Sequence, residues 1–469
     1  MTGTSPVEEM PTSRPNPTFW HALVCFVGIF VLIALGMFVY AISIHVTLFL
    51  ALIWTVMHAC KLGYTFNEVR GMMDDGIIKA LPAIYIFLLI GMVISSFMQS
   101  GTIASLLYHG LEWISPGLFL VAGLLLCSFM SVATGTSWGT VGTIGVVLVG
   151  IGEAMSIPLP LVVGMVVSGA TFGDKLSPIS DTTNLAAMCA GTNLYRHIGC
   201  MLYTTLPTLL IVSVIFFIWG MQFEGLAIPA AHMDEIRTSL VAAYRMDLWI
   251  TLSPLLLMFG LSIKRYAAEV SMSCSIALAA VIAVWYQDKS PVEVINALWM
   301  NTPGETGVAN IDELLGRGGI YSMAWTLLLS ILALALGGIL HHASFLQVLL
   351  QQVVSRVRRV SALIATTIIS GVIGNMAMGE AYISIILNCQ LFKSAYEKNA
   401  VDHAVLSRSV EEGATLTTGL IPWTTAGTFY VATLGVPTLE YAPYALLNIL
   451  NPLVSMLMAV LGIGLLRSK

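Results

Sequence analysis

Residues able to do ionic chemistry stand in the middle of an otherwise apolar chain. The block Ser168-Gly-Ala-Thr-Phe-Gly-Asp-Lys-Leu-Ser-Pro-Ile-Ser-Asp-Thr-Thr183 brings Asp174, Lys175 and Asp181 into one apolar stretch. A second copy, Glu412-Gly-Ala-Thr-Leu-Thr-Thr-Gly-Leu-Ile-Pro-Trp-Thr-Thr-Ala-Gly427, follows 244 residues later. Gly169, Ala170, Thr171, Leu176 and Pro178 recur as Gly413, Ala414, Thr415, Leu420 and Pro422, whereas Asp174, Lys175 and Asp181 become Thr418, Gly419 and Thr425. The backbone signals repeat and the charges do not. Ser177-Pro178 removes a backbone donor and disfavours helix just before the proline, and Asp181, Thr182 and Thr183 read as N-cap residues of a following half-helix. Such a break frees carbonyls and amides inside the membrane. With Asp174 or Asp181 the carbonyls form a hard oxygen site for a small cation, while a half-helix N-terminus favours an anion. The blander reading is that Lys175 pairs with Asp174 or Asp181 to join two segments. Three ionisable groups at membrane depth are expensive and favour function.

Further oxygen donors lie elsewhere. Thr136 and Ser137 sit in the tip Ala133-Thr-Gly-Thr-Ser-Trp-Gly139, where they offer hydroxyl ligands. This tip also matches the G-x-S-x-G nucleophile pattern, but that motif needs a strand, a sharp turn and a histidine. Both flanks here are apolar helix candidates, so the chain is not expected to be an enzyme. A second tip, Gly374-Asn-Met-Ala-Met-Gly379, is flanked by Asn375 and Glu380, the latter the only carboxylate between about 360 and 392 and hence a candidate coupling group. Ser177 and Thr182 in the first interruption, and Thr418 and Thr424 in the second, complete the candidate ion or substrate ligands. Glu411 and Glu412 read as lining a wet vestibule or pairing with Arg408, and His341-His342 as a span-end pair without metal-site spacing.

The elements that must position these residues are membrane helices. Hydrophobic residues make up 57% and charged residues 10% of 469, against the roughly 25% charged of soluble domains. Apolar runs near 19–39, 42–60, 76–99, 197–220, 247–263, 267–286, 319–340 and 443–466 approach or exceed the roughly 17–25 residues of a spanning helix. Residues 1–18 read as a disordered cytoplasmic tail, and the seven scattered cysteines as packing residues. The net charge of −5 is small and gives no reason to expect nucleic acid.

Each half parses alike: two spans, a connector, a third span, a second connector, an apolar pair, an interrupted helix and a final span. The pairs are 117–133 with 139–152 and 360–373 with 380–396, and the interrupted helices are 159–191 and 404–434. Read as re-entrant hairpins, the pairs do not cross, so each half crosses five times and the second copy is inverted. With the N-terminus inside, fifteen of the twenty Lys and Arg fall on the cytoplasmic side and only Arg237, Arg245, Lys289 and Arg317 outside, as positive residues near span ends require. Both termini are then cytoplasmic. The connector Gln351–Arg359 alternates apolar and basic residues and is expected along the inner leaflet, against anionic lipid.

The run Gly173-Asp-Lys-Leu-Ser-Pro-Ile-Ser-Asp-Thr-Thr-Asn184, the tip Ala133–Gly139 and the second block Glu411–Gly427 resemble the bacterial NhaC family of Na⁺/H⁺ antiporters, over nearly the whole chain. The resemblance implies an all-α polytopic protein of the bacterial cytoplasmic (inner) membrane, a homodimer working as an elevator. The scaffold would be 19–115 and 247–357, the transport parts 116–220 and 358–469, with 221–246 an external linker. It implies no cofactor beyond transported Na⁺ and H⁺, with Na⁺ at Asp174, Asp181, Thr136 and Ser137 and protons competing for the same carboxylates. The family also contains exchangers of carboxylates such as malate and lactate, so a small carboxylate or amino acid, held by Lys175, is the alternative cargo.

Overall fold

In hydrocarbon a backbone N–H or C=O has no water to bond, so an apolar chain satisfies its polar groups within helices. The computed structural model describes residues 16–79, 81–224, 230–302, 312, 315–354, 357 and 359–466, and among these every regular element is helical. Most of the expected tail at 1–18 lies outside the described residues. Thr18 caps the first helix by accepting from His21 N at 3.3 Å.

The first half runs α1 (Phe19–Val39), α2 (Ile44–Lys61), α3 (Phe66–Lys79), α4 (Leu81–Gln99), α5 (Thr102–Trp113), α6 (Pro116–Thr134), α7 (Ser137–Ala154), α8 (Leu159–Leu176), α9 (Asp181–Ala190) and α10 (Leu194–Met221). After α11 (Ala230–Ala243) the second half supplies α12 (Leu248–Ile263), α13 (Ala268–Trp285), α14 (Pro291–Trp299), α15 (Ile320–His342), α16 (Phe345–Val354), α17 (Val360–Met378), α18 (Ala381–Lys398), α19 (His403–Gly413), α20 (Thr415–Thr418), α21 (Thr425–Leu434), α22 (Thr438–Tyr441) and α23 (Leu446–Leu461). Nine helices among the described residues are long and apolar enough to cross a membrane, or up to twelve if each bent pair is one span. Large apolar side chains such as Leu206, Leu210, Val214 and Phe217 stay exposed on α10. That surface suits lipid, where leaving it uncovered costs nothing.

The 244-residue spacing of the two polar blocks extends through most of each half. The first residues of α6, α7, α8, α9 and α10 (Pro116, Ser137, Leu159, Asp181 and Leu194) stand that far from those of α17, α18, α19, α21 and α22 (Val360, Ala381, His403, Thr425 and Thr438). The two tips are shorter than the sequence suggests. Only Gly135-Thr136 and Gly379-Glu380 leave the helix, and Gly374–Met378, expected as a flexible tip, is the last stretch of α17. Gly374 lets α17 pack closely on α18: an added Cβ would lie 2.3 Å from Ser384 Oγ.

Each turn is closed by a left-handed glycine followed by an N-cap. Gly135 (φ 71°) donates its N–H to Ser131 O at 2.8 Å and Gly379 (φ 67°) to Asn375 O at 2.9 Å. Thr136 and Glu380 then cap α7 and α18. At Gly379 a side chain would incur the left-handed cost of about 1–2 kcal/mol and meet Ala333 Cβ on α15 at 2.8 Å. Gly379→Ala is therefore expected to lower the thermal stability of the purified protein in detergent and to disturb Glu380, with Gly71→Ala, which meets nothing within 4 Å, as the unaffected comparison.

Candidate cation-binding site

Both tips meet both helix breaks around one cavity of about 660 Å³. In the first half, α8 ends at Leu176 and α9 begins at Asp181, so Ser177–Ser180 form the break that Pro178 predicts. Its N-cap is Ser180, not Asp181: the Ser180 hydroxyl accepts from Thr183 N at 3.5 Å, and Asp181 is the first helical residue. In the second half Thr424, at the same spacing from Ser180, caps α21 by accepting from Gly427 N at 3.1 Å. The breaks repeat because their caps repeat.

Asp174 is the most enclosed carboxylate of the first break, 6% exposed. One of its oxygens accepts from Ser137 Oγ of the tip and the other from Ser180 Oγ of the break, each at 2.7 Å. The Tyr430 hydroxyl, from α21, lies beside Ser137. Asp181 opens to the cavity and accepts from its neighbour Thr182 N at 2.9 Å and from the Tyr382 hydroxyl of α18, so it bridges the halves. Glu380, 2% exposed, accepts from Thr425 Oγ1 at 2.6 Å and Tyr382 N at 3.3 Å. Thr425 N in turn donates to Gly379 O at 2.9 Å, which ties the second tip to the second break.

Of the residues singled out from the sequence, Thr136, Ser137, Asp174, Asp181, Thr182, Glu380 and Thr418 line the cavity. Lys175, Ser177, Asn375 and Thr424 do not. Ser177 donates to Val132 O at 2.9 Å and fastens the break to α6. Asn375 donates to Ala414 O at 2.5 Å and so reproduces, at the same spacing, the 2.5 Å bond from Ser131 to Ala170 O. Thr424 spends its hydroxyl on the cap and on Thr418 O at 2.5 Å. Lys175 is fully buried behind the cavity wall, because neighbours on a helix point about 100° apart. It faces Glu411 and Glu412, which are themselves fully buried and do not line a wet vestibule.

Sequence reasoning missed Ser180, Tyr382 and Tyr430. Ser180 had a signal, since a serine directly after a Pro-containing break is a strong N-cap. The tyrosines had none, because only the packing of α18 and α21 turns them toward the first-half carboxylates.

The acidic residues around the cavity are Asp174, Asp181, Glu269 and Glu380, and the basic one is Arg265. With hydroxyls of Thr136, Ser137, Thr182 and Thr418 beside them, this oxygen-rich, electronegative wall matches what a hard monovalent cation needs. No cluster of three His, Cys, Asp or Glu with metal-holding geometry occurs among the described residues. A ring ladder aligns the site: Trp138 of the first tip stacks on Phe87 of α4 at 5.1 Å and on Phe429 of α21 at 5.3 Å.

Ser180 and Thr424 separate a binding contribution from a folding one. Ser180→Ala removes a cap of about 1 kcal/mol and a hydroxyl donor to a buried carboxylate, about 1.5–3 kcal/mol. It is expected to lower thermal stability and to weaken binding of a monovalent cation about tenfold, about 1.4 kcal/mol, whereas Thr424→Ala lowers stability alone. Melting temperatures measured across a series of cation concentrations check both.

The model of the Na⁺/H⁺ antiporter family matches residues 16–221 and 169–463. Over 434 residues the chain is 36% identical to the Na⁺/H⁺ antiporter NhaC of Alkalihalophilus pseudofirmus, covering 92% of this chain and 93% of that one. It is 33% identical over 433 residues to the malate-2H⁺/Na⁺-lactate antiporter of Bacillus subtilis, with 92% of each chain covered. It is 31% identical over 450 residues to the arginine/ornithine antiporter ArcD of Halobacterium salinarum, covering 95% and 93%. Among solved structures it is similar to Neisseria gonorrhoeae MtrF at 14% identity and a TM-score of 0.36, covering 82% and 84% of the two chains, too distant a likeness to argue from. With the family match extending over both halves, the chain is a multi-pass membrane transporter that belongs to the NhaC family of Na⁺/H⁺ antiporters.

Proposed function

We propose that this transporter exchanges Na⁺ for protons at a carboxylate site near the bilayer midplane. The observation that carries the reading is Asp174, buried and held by one hydroxyl from a tip and one from a break, on the wall of a cavity with four acidic side chains and one basic. Na⁺ binds Asp174 with Ser137, Ser180 and Thr136 hydroxyls, and Asp181 and Glu380 add charge within reach. A proton on Asp174 removes the charge that holds the ion, so one site serves both cargoes in turn, which is antiport without a second pathway.

The two halves act as inverted repeats, supported by the constant spacing of α6–α10 and α17–α22 and by the equivalent Ser131 and Asn375 bonds. Tips and breaks are joined by polar bonds into one body. Its contact with the rest includes stacked rings at Phe87, an apolar surface suited to an elevator-like slide. The cavity reaches the turn at Arg265–Ala267, the side that charge distribution makes cytoplasmic, so the site faces inward. We place the protein, as a homodimer, in a bacterial cytoplasmic membrane with both termini inside.

The volume of the cavity favours a second reading. About 660 Å³ exceeds the need of one dehydrated ion and falls in the range of small-molecule pockets, roughly 300–1,000 Å³. A small carboxylate or amino acid carried with the cation would then lie against Arg265, since Lys175 does not reach the cavity. Proteoliposomes with imposed Na⁺ and pH gradients, with and without malate, lactate and arginine, test both. Exchange driven by Na⁺ alone supports the first reading, and a requirement for an organic substrate supports the second.

A further inference from the structure

Behind the cavity wall lies a second set of ionisable groups that the exchange site leaves unused. His197 of α10 and Glu411 of α19 are both fully buried and form a pair, Nε2 to Oε2, at 2.8 Å. The other ring nitrogen, Nδ1, lies 2.7 Å from Ser407 Oγ. A hydroxyl both donates and accepts, so this partner serves either protonation state. With neutral imidazole Ser407 donates to Nδ1, and with imidazolium it accepts from Nδ1–H. Nε2 meets the Glu411 carboxylate as a close charge contact, and neither of these two atoms holds a hydrogen bond. A buried imidazole facing a carboxylate, with a hydroxyl on its other nitrogen that serves either state, is what a reversible proton site needs.

The surroundings fix what that proton does. Lys175 enters from α8, with no hydrogen-bond partner on Nζ. Arg408, on α19, donates to Gly464 O at 3.0 Å and to Cys200 Sγ of α10 at 3.6 Å. Glu412 accepts from Thr204 Oγ1 at 2.5 Å and from Asn451 Nδ2 of α23 at 3.2 Å. Tyr396 of α18 bonds Thr367 at 3.1 Å. Two cations and two carboxylates cancel when His197 is neutral, so a proton on His197 makes the cluster positive. Thr183 connects this charge to the exchange site: its hydroxyl lies 3.0 Å from Asp174 O and 3.2 Å from Glu411 Oε1. A positive charge here and a cation on Asp174 repel across a dry wall, where screening is weak.

We propose that the His197–Glu411 pair is a proton-binding site, separate from the cation-binding carboxylates and coupled to them electrostatically through the wall at Thr183. It deepens the Na⁺/H⁺ reading and rests on it: Na⁺ binding expels one proton from this pair in addition to any displaced from the cavity. Binding linkage makes the slope of Na⁺ affinity against pH equal to the number of protons released. His197→Gln, which removes the titratable ring and keeps a polar side chain beside Glu411, is expected to reduce that slope by one proton. The apparent affinity measured by Na⁺-induced thermal stabilisation then changes about tenfold less per pH unit than in wild type. Glu411→Gln is expected to do the same and serves if His197→Gln cannot be purified folded. An unchanged slope in a folded variant that Na⁺ still stabilises overturns the proposal. Asp174→Asn tests the underlying reading separately: if it keeps full Na⁺ stabilisation, the cavity site is wrong whatever the His197 variants do.

Discussion

Replacing Asp174 by asparagine is expected to abolish Na⁺-driven proton movement in proteoliposomes while leaving a folded protein. Asparagine has the same shape and keeps an oxygen that can accept from Ser137 or Ser180, so the tip and break stay joined. What is lost is the charge that offsets the dehydration of the ion. Removing one member of a buried charge pair costs about 2–5 kcal/mol, which at about 1.4 kcal/mol per tenfold lowers Na⁺ affinity by roughly 30-fold to several thousand-fold. Asp181→Asn is expected to have a smaller effect because Asp181 opens to the cavity, where water screens it. Asp288→Asn, which breaks an exposed pair with Arg245, should behave as wild type, since exposed pairs contribute little. Proton flux with a pH-sensitive dye under an imposed Na⁺ gradient ranks the three. Wild-type flux in Asp174→Asn overturns the site.

A large stability loss is expected at Gly173. This residue lets α8 lie backbone to backbone on α6: an added Cβ would stand 2.4 Å from Val132 N, 2.5 Å from Ser131 Cβ and 2.6 Å from Ser128 O. None of these atoms is the end of a flexible side chain, so α8 must move away and carry Asp174 off Ser137. Overpacking typically costs about 1–3 kcal/mol, and a clash with backbone belongs at the upper end. Gly173→Ala is expected to lose about 3 kcal/mol and its Na⁺ affinity together. A similar close approach occurs in the second half at Gly413, the repeat partner of Gly169, whose Cβ would lie 2.3 Å from Ile368 O as that of Gly169 would lie 2.6 Å from Leu124 O. Gly413→Ala should destabilise to a similar degree. Gly199→Ala and Gly260→Ala, with nothing within 4 Å, should not. Small residues permit such approach wherever membrane helices associate by packing alone. Melting curves in detergent, with and without Na⁺, give both quantities.

Much of the site was legible because its backbone instructions are local. Pro178 directly follows the end of its helix, Gly135 and Gly379 take the left-handed turn, and the second copy repeats the glycine, threonine and proline of the first. Asp174, Asp181 and Glu380 stood out because a carboxylate inside an apolar run is costly. The cap falls on Ser180, one residue before Asp181, and the second tip is shorter than its glycines suggest, because Gly374 serves the close packing of α17 on α18 rather than a turn.

The sequence by itself determined that the chain lies in a membrane, that it is built of helices interrupted at two matching places, and that carboxylates stand inside its apolar stretches. Those conclusions need only composition, spacing and the conformational limits of proline and glycine. The tertiary structure decided which way each charge points. Adjacent in sequence, Asp174 and Lys175 point about 100° apart on one helix and so face different surroundings. Asp174 lies against Ser137 and Ser180 on the cavity, and Lys175 points toward the charges of Glu411 and Glu412 behind it, with no hydrogen bond on its Nζ. Likewise Tyr382 reaches Asp181 across 201 residues, and His197 reaches Glu411 across the packing of α10 on α19. Such pairings depend on the rotation and approach of whole helices, set by many weak contacts at once, and no local pattern records them.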